Sequence, residues 1–368
     1  MKIKKIELYQ MPIKLKEPFV ISLGKFDCAS NVVVVVRTDA GMSGFGECSP
    51  FMSISGESMD TCVVVGQYLA RVLIGKDPTD IETCVAMMDQ VIYGNSSIKS
   101  AFDMALYDLA SQYAGLPLFA FLGGNNNKIL ATDYTVSLGD KQKMVHDALW
   151  IKHHGFQAIK VKLGESFEKD FERIHLIREA VGKEIPLRID ANQGWNTETA
   201  IATLRALGPY NIQHCEEPIP RWNYMELPKV RKQSPIQIMA DESCSDHHDA
   251  KRLIDLQACD QLNIKLGKSS GIFNALKIIQ LAEQADMHLQ VGGFLESRLG
   301  FTAAAHLALA SDQIVYFDFD TPLMFTEDPV SGGITYDNRG VVTVPDSVGL
   351  GAWVDEDYLK GLKKVEVC

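Results

Sequence analysis

The chain has 368 residues, 46% apolar and 23% charged, the profile of a folded globular protein large enough for more than one domain. Its net charge of -11 excludes a nucleic-acid backbone or an anionic membrane surface as partner, because no local basic patch offsets that field. No apolar run approaches the roughly 20 residues that span a bilayer, Met1 to Phe19 lacks the marks of a signal peptide, and eight cysteines stand singly, so a cytoplasmic protein is expected. In chain order, Lys2–Leu8 alternates, Asn31–Thr38 is a β-branched run and Gly44–Cys48 follows a turn, which predicts three strands. Lys2, Lys4 and Lys5 read as the outer face of an edge strand. The glycines of Gly41-Met42-Ser43-Gly44-Phe45-Gly46 lie between strand patterns and predict a hairpin, not a nucleotide loop. Helical patterns follow over Ser58–Leu73 and Ser97–Tyr113.

From Asp133 the rhythm changes to short apolar strands alternating with amphipathic helices. The strands read as Tyr134–Leu138, Ala158–Leu163, Leu187–Asn192, Ile212–Pro218, Gln237–Glu242, Gln261–Leu266, Leu289–Phe294 and Val315–Asp320. Eight strands with seven helices between them predict an α/β fold, a (β/α)8-like barrel of (β/α)7β form. Residues 1–130 then form an α+β capping domain, 131–325 the barrel, and 326–368 a segment rejoining the cap.

Active sites of such barrels gather at the C-terminal strand ends. Strand two ends Lys160-Val161-Lys162, strand three Asp190-Ala191-Asn192, strand four Glu216-Glu217-Pro218 and strand five Asp241-Glu242. Strand six ends Asn263-Ile264-Lys265 and strand eight Asp318-Phe319-Asp320. Any one acid there could simply cap a helix. Three consecutive strands aiming carboxylates at one mouth need a cation, and hard oxygen ligands favour Mg2+. His247-His248 reads as a turn opening the next helix. Period-2 alternation turns Lys160 and Lys162 inward, opposite Lys265 across the barrel. Clustering predicts lowered lysine pKa values, suited to moving a proton beside a carboxylate.

Together these motifs resemble the enolase superfamily and, over essentially the whole chain, its muconate-lactonizing subgroup. The resemblance implies that Asp190, Glu216 and Asp241 bind Mg2+, that Lys162 and Lys265 are the acid/base pair, and that Lys160 neutralises the substrate carboxylate. Asp318-Phe319-Asp320 resembles the Asp-x-Asp of dipeptide epimerases, where the pair takes the substrate's α-ammonium; Thr135 contacts substrate by the same analogy. Members acting on Ala-Glu carry an arginine where this chain has Gly24, which points to small or apolar dipeptides of the Ala-Ala or Ala-Val type. Leu23, Phe26, Ile54, Phe294 and Met324 are candidate pocket walls, and Phe51–Gly56 a candidate lid. The alternatives are an L-Ala-D/L-Glu epimerase, a lyase of the same superfamily (o-succinylbenzoate synthase or acid-sugar dehydratase), or a barrel that only binds. A homo-oligomer is expected by analogy.

Overall fold

A computed structural model describes residues 1–368. The cap is built on a four-stranded antiparallel sheet ordered Lys364–Val367, Ile3–Ile21, Gly24–Thr38, Ser43–Cys48. Val32 to Val36 are all fully buried, so this β-branched run is covered on both faces. Helices Met59–Leu73 and Ser96–Ala114 pack on the sheet. A Cβ on Gly46 would lie 1.9 Å from the Ala101 carbonyl oxygen, so that glycine lets the second helix touch the strand.

The first strand corrects two expectations. It runs through Ile21 rather than ending at Leu8, and the C-terminal strand covers the edge that Lys2, Lys4 and Lys5 were expected to mark. Ile21 pairs directly with Gly24, so Ser22 and Leu23 form a hairpin tip. A further helix, Ile81–Val91, is N-capped by Asp80 and went unpredicted.

The barrel strands are Tyr134–Val136, Ile159–Lys162, Leu187–Asp190, Ile212–Glu216, Gln237–Ala240, Gln261–Lys265, His288–Gly292 and Ile314–Phe317, all parallel and neighbours in sequence order. Helices follow the first seven and cover the outside. Between the first and eighth strands there is no regular ladder. The seam is joined by the Asp133 N–H donating to the Phe317 carbonyl at 3.3 Å, the Phe319 N–H to Thr132 Oγ1 at 2.8 Å, and the Thr135 N–H to Asp320 Oδ2 at 2.7 Å. The eighth strand stops at Phe317, so Asp318 and Asp320 lie in the loop beyond it and not on one strand face as the alternation suggested. Pro322, in the 3-10 turn Thr321–Met324, cannot donate to a ladder and ends the extended run. No helix is long and apolar enough to cross a membrane.

Candidate active site

The strand ends converge at one mouth. Asp190, Glu216 and Asp241 are fully buried there, and one carboxylate oxygen from each lies within 4.8 Å of the others. Each faces a lysine: Lys162 lies 2.6 Å from Asp190, Lys160 2.7 Å from Glu216 and Lys265 2.8 Å from Asp241. Three buried acids at this spacing repel one another, and only cations can hold them together. All donors are carboxylate oxygens with no nitrogen or sulfur among them, and Asp241 Oδ2 has no hydrogen bond despite the nearby Lys265 charge. That chemistry fits Mg2+.

The backbone around these acids is held firmly. Glu217, pointing away from Glu216, accepts the N–H groups of Asp241 at 2.7 Å and Ser243 at 3.1 Å, so strand four fixes the end of strand five. Asn263 Nδ2 donates to Glu216 at 2.6 Å, and Lys268 grips both the carboxylate and the carbonyl of Asp241. Asn192, Gln193 and Glu217 take left-handed backbone angles (φ 40, 68 and 33) at this rim. Such residues cost about 1–3 kcal/mol each and persist where packing over-determines them.

At Lys265 and Lys160 the shift runs opposite to the lowering expected from clustering. Burial would lower Lys265, but the Asp241 and Glu216 carboxylates outweigh it and raise its pKa. Lys160 is raised likewise, against burial, by Asp318, Glu216 and Asp190. The sequence shows the lysines as neighbours of one another, whereas in space each is nearer to an acid.

Beside this centre, Asp318 Oδ2 takes Lys160 at 2.8 Å, and Asp320 accepts the Thr135 N–H. Burial opposes the charge on both. Lys160, then Lys162 and Lys265, overcome it at Asp318 and hold its pKa at about 2. At Asp320, burial and the neighbouring Asp318 charge push the pKa up to about 7.

Lys162, Lys265, Thr135, Asp318 and Asp320 line one small cavity, whose apolar side comes from Phe19, Ile21, Phe51, Ile54, Phe294 and Leu295. The Phe51 ring links the cap to the barrel, 4.4 Å from Phe26 and 5.5 Å from Phe294 between centroids. The Lys162 and Lys265 ammoniums stand 5.7 and 4.9 Å from the rings of Phe19 and Phe294. Of the other positions singled out in the sequence, Lys160 lies buried beneath the cavity, while Gly24, Leu23, Phe26 and Met324 do not line it, Phe26 packing instead against Phe51. Gly24 shapes the hairpin tip with φ +150, and Met324 sits half-buried in the 3-10 turn. His247 and His248 stack on each other at the head of helix His247–Asp255, outside the cavity. Phe19 and Lys268 escaped the sequence reading, and Phe51 entered it only as the start of the candidate lid, not as a wall. For Lys268 a signal existed, one helical turn beyond Lys265; the two rings reach the barrel from segments with no periodicity pointing there.

The sequence matches the family described as "Mandelate racemase / muconate lactonizing enzyme, N-terminal domain" over residues 4–123 and "Enolase C-terminal domain-like" over residues 143–358. It is 62% identical to the D-Ala-D/L-Ala epimerase of Cytophaga hutchinsonii, covering 99% of both chains. The crystal structure of the dipeptide epimerase from that organism, complexed with Mg and the dipeptide D-Ala-L-Val, superposes with a TM-score of 0.99 over 100% of both chains at 62% identity. The dipeptide epimerase of Enterococcus faecalis, complexed with Mg and L-Leu-L-Tyr, matches with a TM-score of 0.93 at 37% identity, over 96% of this chain and 99% of that one. By these matches across both its domains, the chain belongs to the mandelate racemase/muconate lactonizing enzyme family of the enolase superfamily.

Proposed function

We propose that this protein is a Mg2+-dependent dipeptide epimerase, an isomerase that inverts the α-carbon of the C-terminal residue of small or apolar dipeptides. One observation carries the reading. Lysines from strands two and six, on opposite sides of the barrel, reach a single cavity that has apolar walls and a pair of aspartates at one end. The 62% identical relative named a D-Ala-D/L-Ala epimerase supports the substrate class.

In this reading Asp190, Glu216 and Asp241 hold the metal, and Lys160 keeps their summed charge from overwhelming the site. Bound Mg2+ supplies the positive charge that stabilises the substrate carboxylate as the adjacent α-carbon becomes acidic. With those acids committed to Mg2+, their hold on the lysine protons would relax and burial would favour the neutral amine. Lys162 or Lys265, as the free amine, takes the α-proton from one face, and the other, as the ammonium, returns a proton to the opposite face. Asp318 and Asp320 take the α-ammonium, with Thr135 setting the position of Asp320. Phe294, Ile54 and Phe51 enclose the side chains, with Phe26 packed against the Phe51 ring. Gly24 offers no side chain, and Lys25 is exposed beside Asp27, so no cation is supplied for an acidic side chain; this favours Ala-Ala or Ala-Val over Ala-Glu. Residues 1–130 with 326–368 act as the cap over the 131–325 barrel, and the enzyme works as a cytoplasmic homo-oligomer, a compartment supported by eight free cysteines.

The test is deuterium uptake from heavy water by a dipeptide library with enzyme and Mg2+, read by mass spectrometry. Uptake at the C-terminal α-carbon is expected for small and apolar dipeptides and should vanish in Lys162→Ala and Lys265→Ala. A folded, metal-loaded protein that exchanges no dipeptide overturns the reading.

A further inference from the structure

Beneath the aspartate pair the barrel interior carries a charge pair that the reaction above does not use. Asp133, just before the first barrel strand, is fully buried. One of its carboxylate oxygens lies within 4.8 Å of oxygens from both Asp318 and Asp320. Its Oδ2 accepts Arg188 Nη1 at 2.8 Å, while its Oδ1 has no hydrogen-bond partner. Burial and the Asp318 charge push its pKa up, and the Arg188 and Lys160 charges oppose them in favour of the carboxylate. Arg188 lies on strand three, two residues below the metal-facing Asp190, and is itself buried. Its other contacts are neutral: the Phe317 carbonyl at 3.2 Å, Gln213 Oε1 at 2.9 Å and the Tyr316 ring at 4.9 Å. Asp133 is therefore the one acid paired with that guanidinium, and it also lies within 4.8 Å of the carboxylates assigned to the substrate's ammonium.

A buried cation with no counter-charge acts over several ångströms in a low dielectric. An unpaired Arg188 would repel an ammonium entering beside Asp318 and Asp320. Its charge would also draw those two carboxylates away from the substrate. We propose that Asp133 is a positioning residue of the ammonium subsite, cancelling the Arg188 charge so that Asp318 and Asp320 remain free to take the dipeptide's α-ammonium. The proposal rests on the epimerase reading above. It differs from a purely structural ion pair in what it predicts: the substrate's ammonium feels Arg188 only when Asp133 is gone.

The experiment is steady-state kinetics on Ala-Ala at saturating Mg2+ for the wild type, Asp133→Asn and Asp133→Asn/Arg188→Gln, with the apparent Mg2+ activation constant measured alongside. Asp133→Asn should raise KM at least tenfold, with kcat within about threefold and Mg2+ activation unchanged. The double variant, which leaves no unpaired charge, should return KM to within threefold of the wild type. An unchanged KM in Asp133→Asn, or a double variant as weak as the single one, overturns the proposal. If Asp133→Asn does not fold, the double variant decides alone: KM near the wild-type value supports the proposal, and a tenfold rise sinks it. A wild type inactive on every dipeptide would instead overturn the reading of function.

Discussion

Asp318 and Asp320 show how two like residues, two positions apart, are given different tasks. Asp318 is ionised over the whole working range because Lys160 and its neighbours outweigh burial. Asp320, with a pKa raised to about 7, is neutral in mild acid and ionised above that. Only the ionised form offers a full charge to an ammonium. The sign follows: kcat/KM for free-ammonium dipeptides should climb as pH rises through about 7, and Asp320→Asn should remove that limb of the profile, measured from pH 5 to 9. The positions of the charged strand-end residues were legible because strand periodicity is short and the barrel rule tells which end to read. Their partners were not. Lys265 meets Asp241 from the neighbouring strand end, and Lys160 meets Asp318 from the loop beyond strand eight, so a lysine pair that looked self-repelling proves to be surrounded by acids.

At the scale of elements, the loop Phe51–Gly56 is tied down from outside the cap. Arg221 Nη1, in the loop after strand four, donates to the Ile54 carbonyl at 2.6 Å, which places Ile54 and Phe51 over the cavity. Arg221 is exposed, so removing it should leave the melting temperature unchanged. Arg221→Ala should raise KM severalfold with little change in kcat, a split that steady-state kinetics would show; a proportional fall in kcat alone would argue against a tether. The barrel strands were legible because each apolar run is short and followed by a helix. The long cap hairpin was not: although Ile13 and Leu15 alternate with exposed Lys14 and Lys16, the flanking Pro12 and Pro18 read as strand breakers. The structure accommodates them with a register irregularity between Lys14 and Phe19, an outcome that depends on the partner strand Gly24–Thr38.

For the whole molecule, buried carboxylates help join cap and barrel, Glu47 the most richly bonded among them. Glu47 accepts the Ser297 N–H at 3.0 Å, the Ser297 hydroxyl at 2.8 Å, the Gly300 N–H at 2.8 Å and Asn31 Nδ2 at 2.7 Å, so a cap strand closes the N-terminus of helix Arg298–Ala308. Glu47→Ala strands several buried donors and should destabilise the protein by about 3 kcal/mol or more, read by urea unfolding. Nothing in the local sequence marks Glu47, because Ser297 and Gly300 lie in another domain and Asn31 on a neighbouring strand.

The seam between the first and last barrel strands bears on the order of assembly. The acids that fit Mg2+ sit on three successive strands, whereas the bond between Thr135 and Asp320 joins residues separated by 185 positions. Contacts between neighbouring strands close cheaply and early, and those between the chain's distant parts come late. On loop-closure grounds the acids that fit Mg2+ are expected to come together before the seam that places Asp320. Metal binding should then appear ahead of dipeptide binding in a refolding time course.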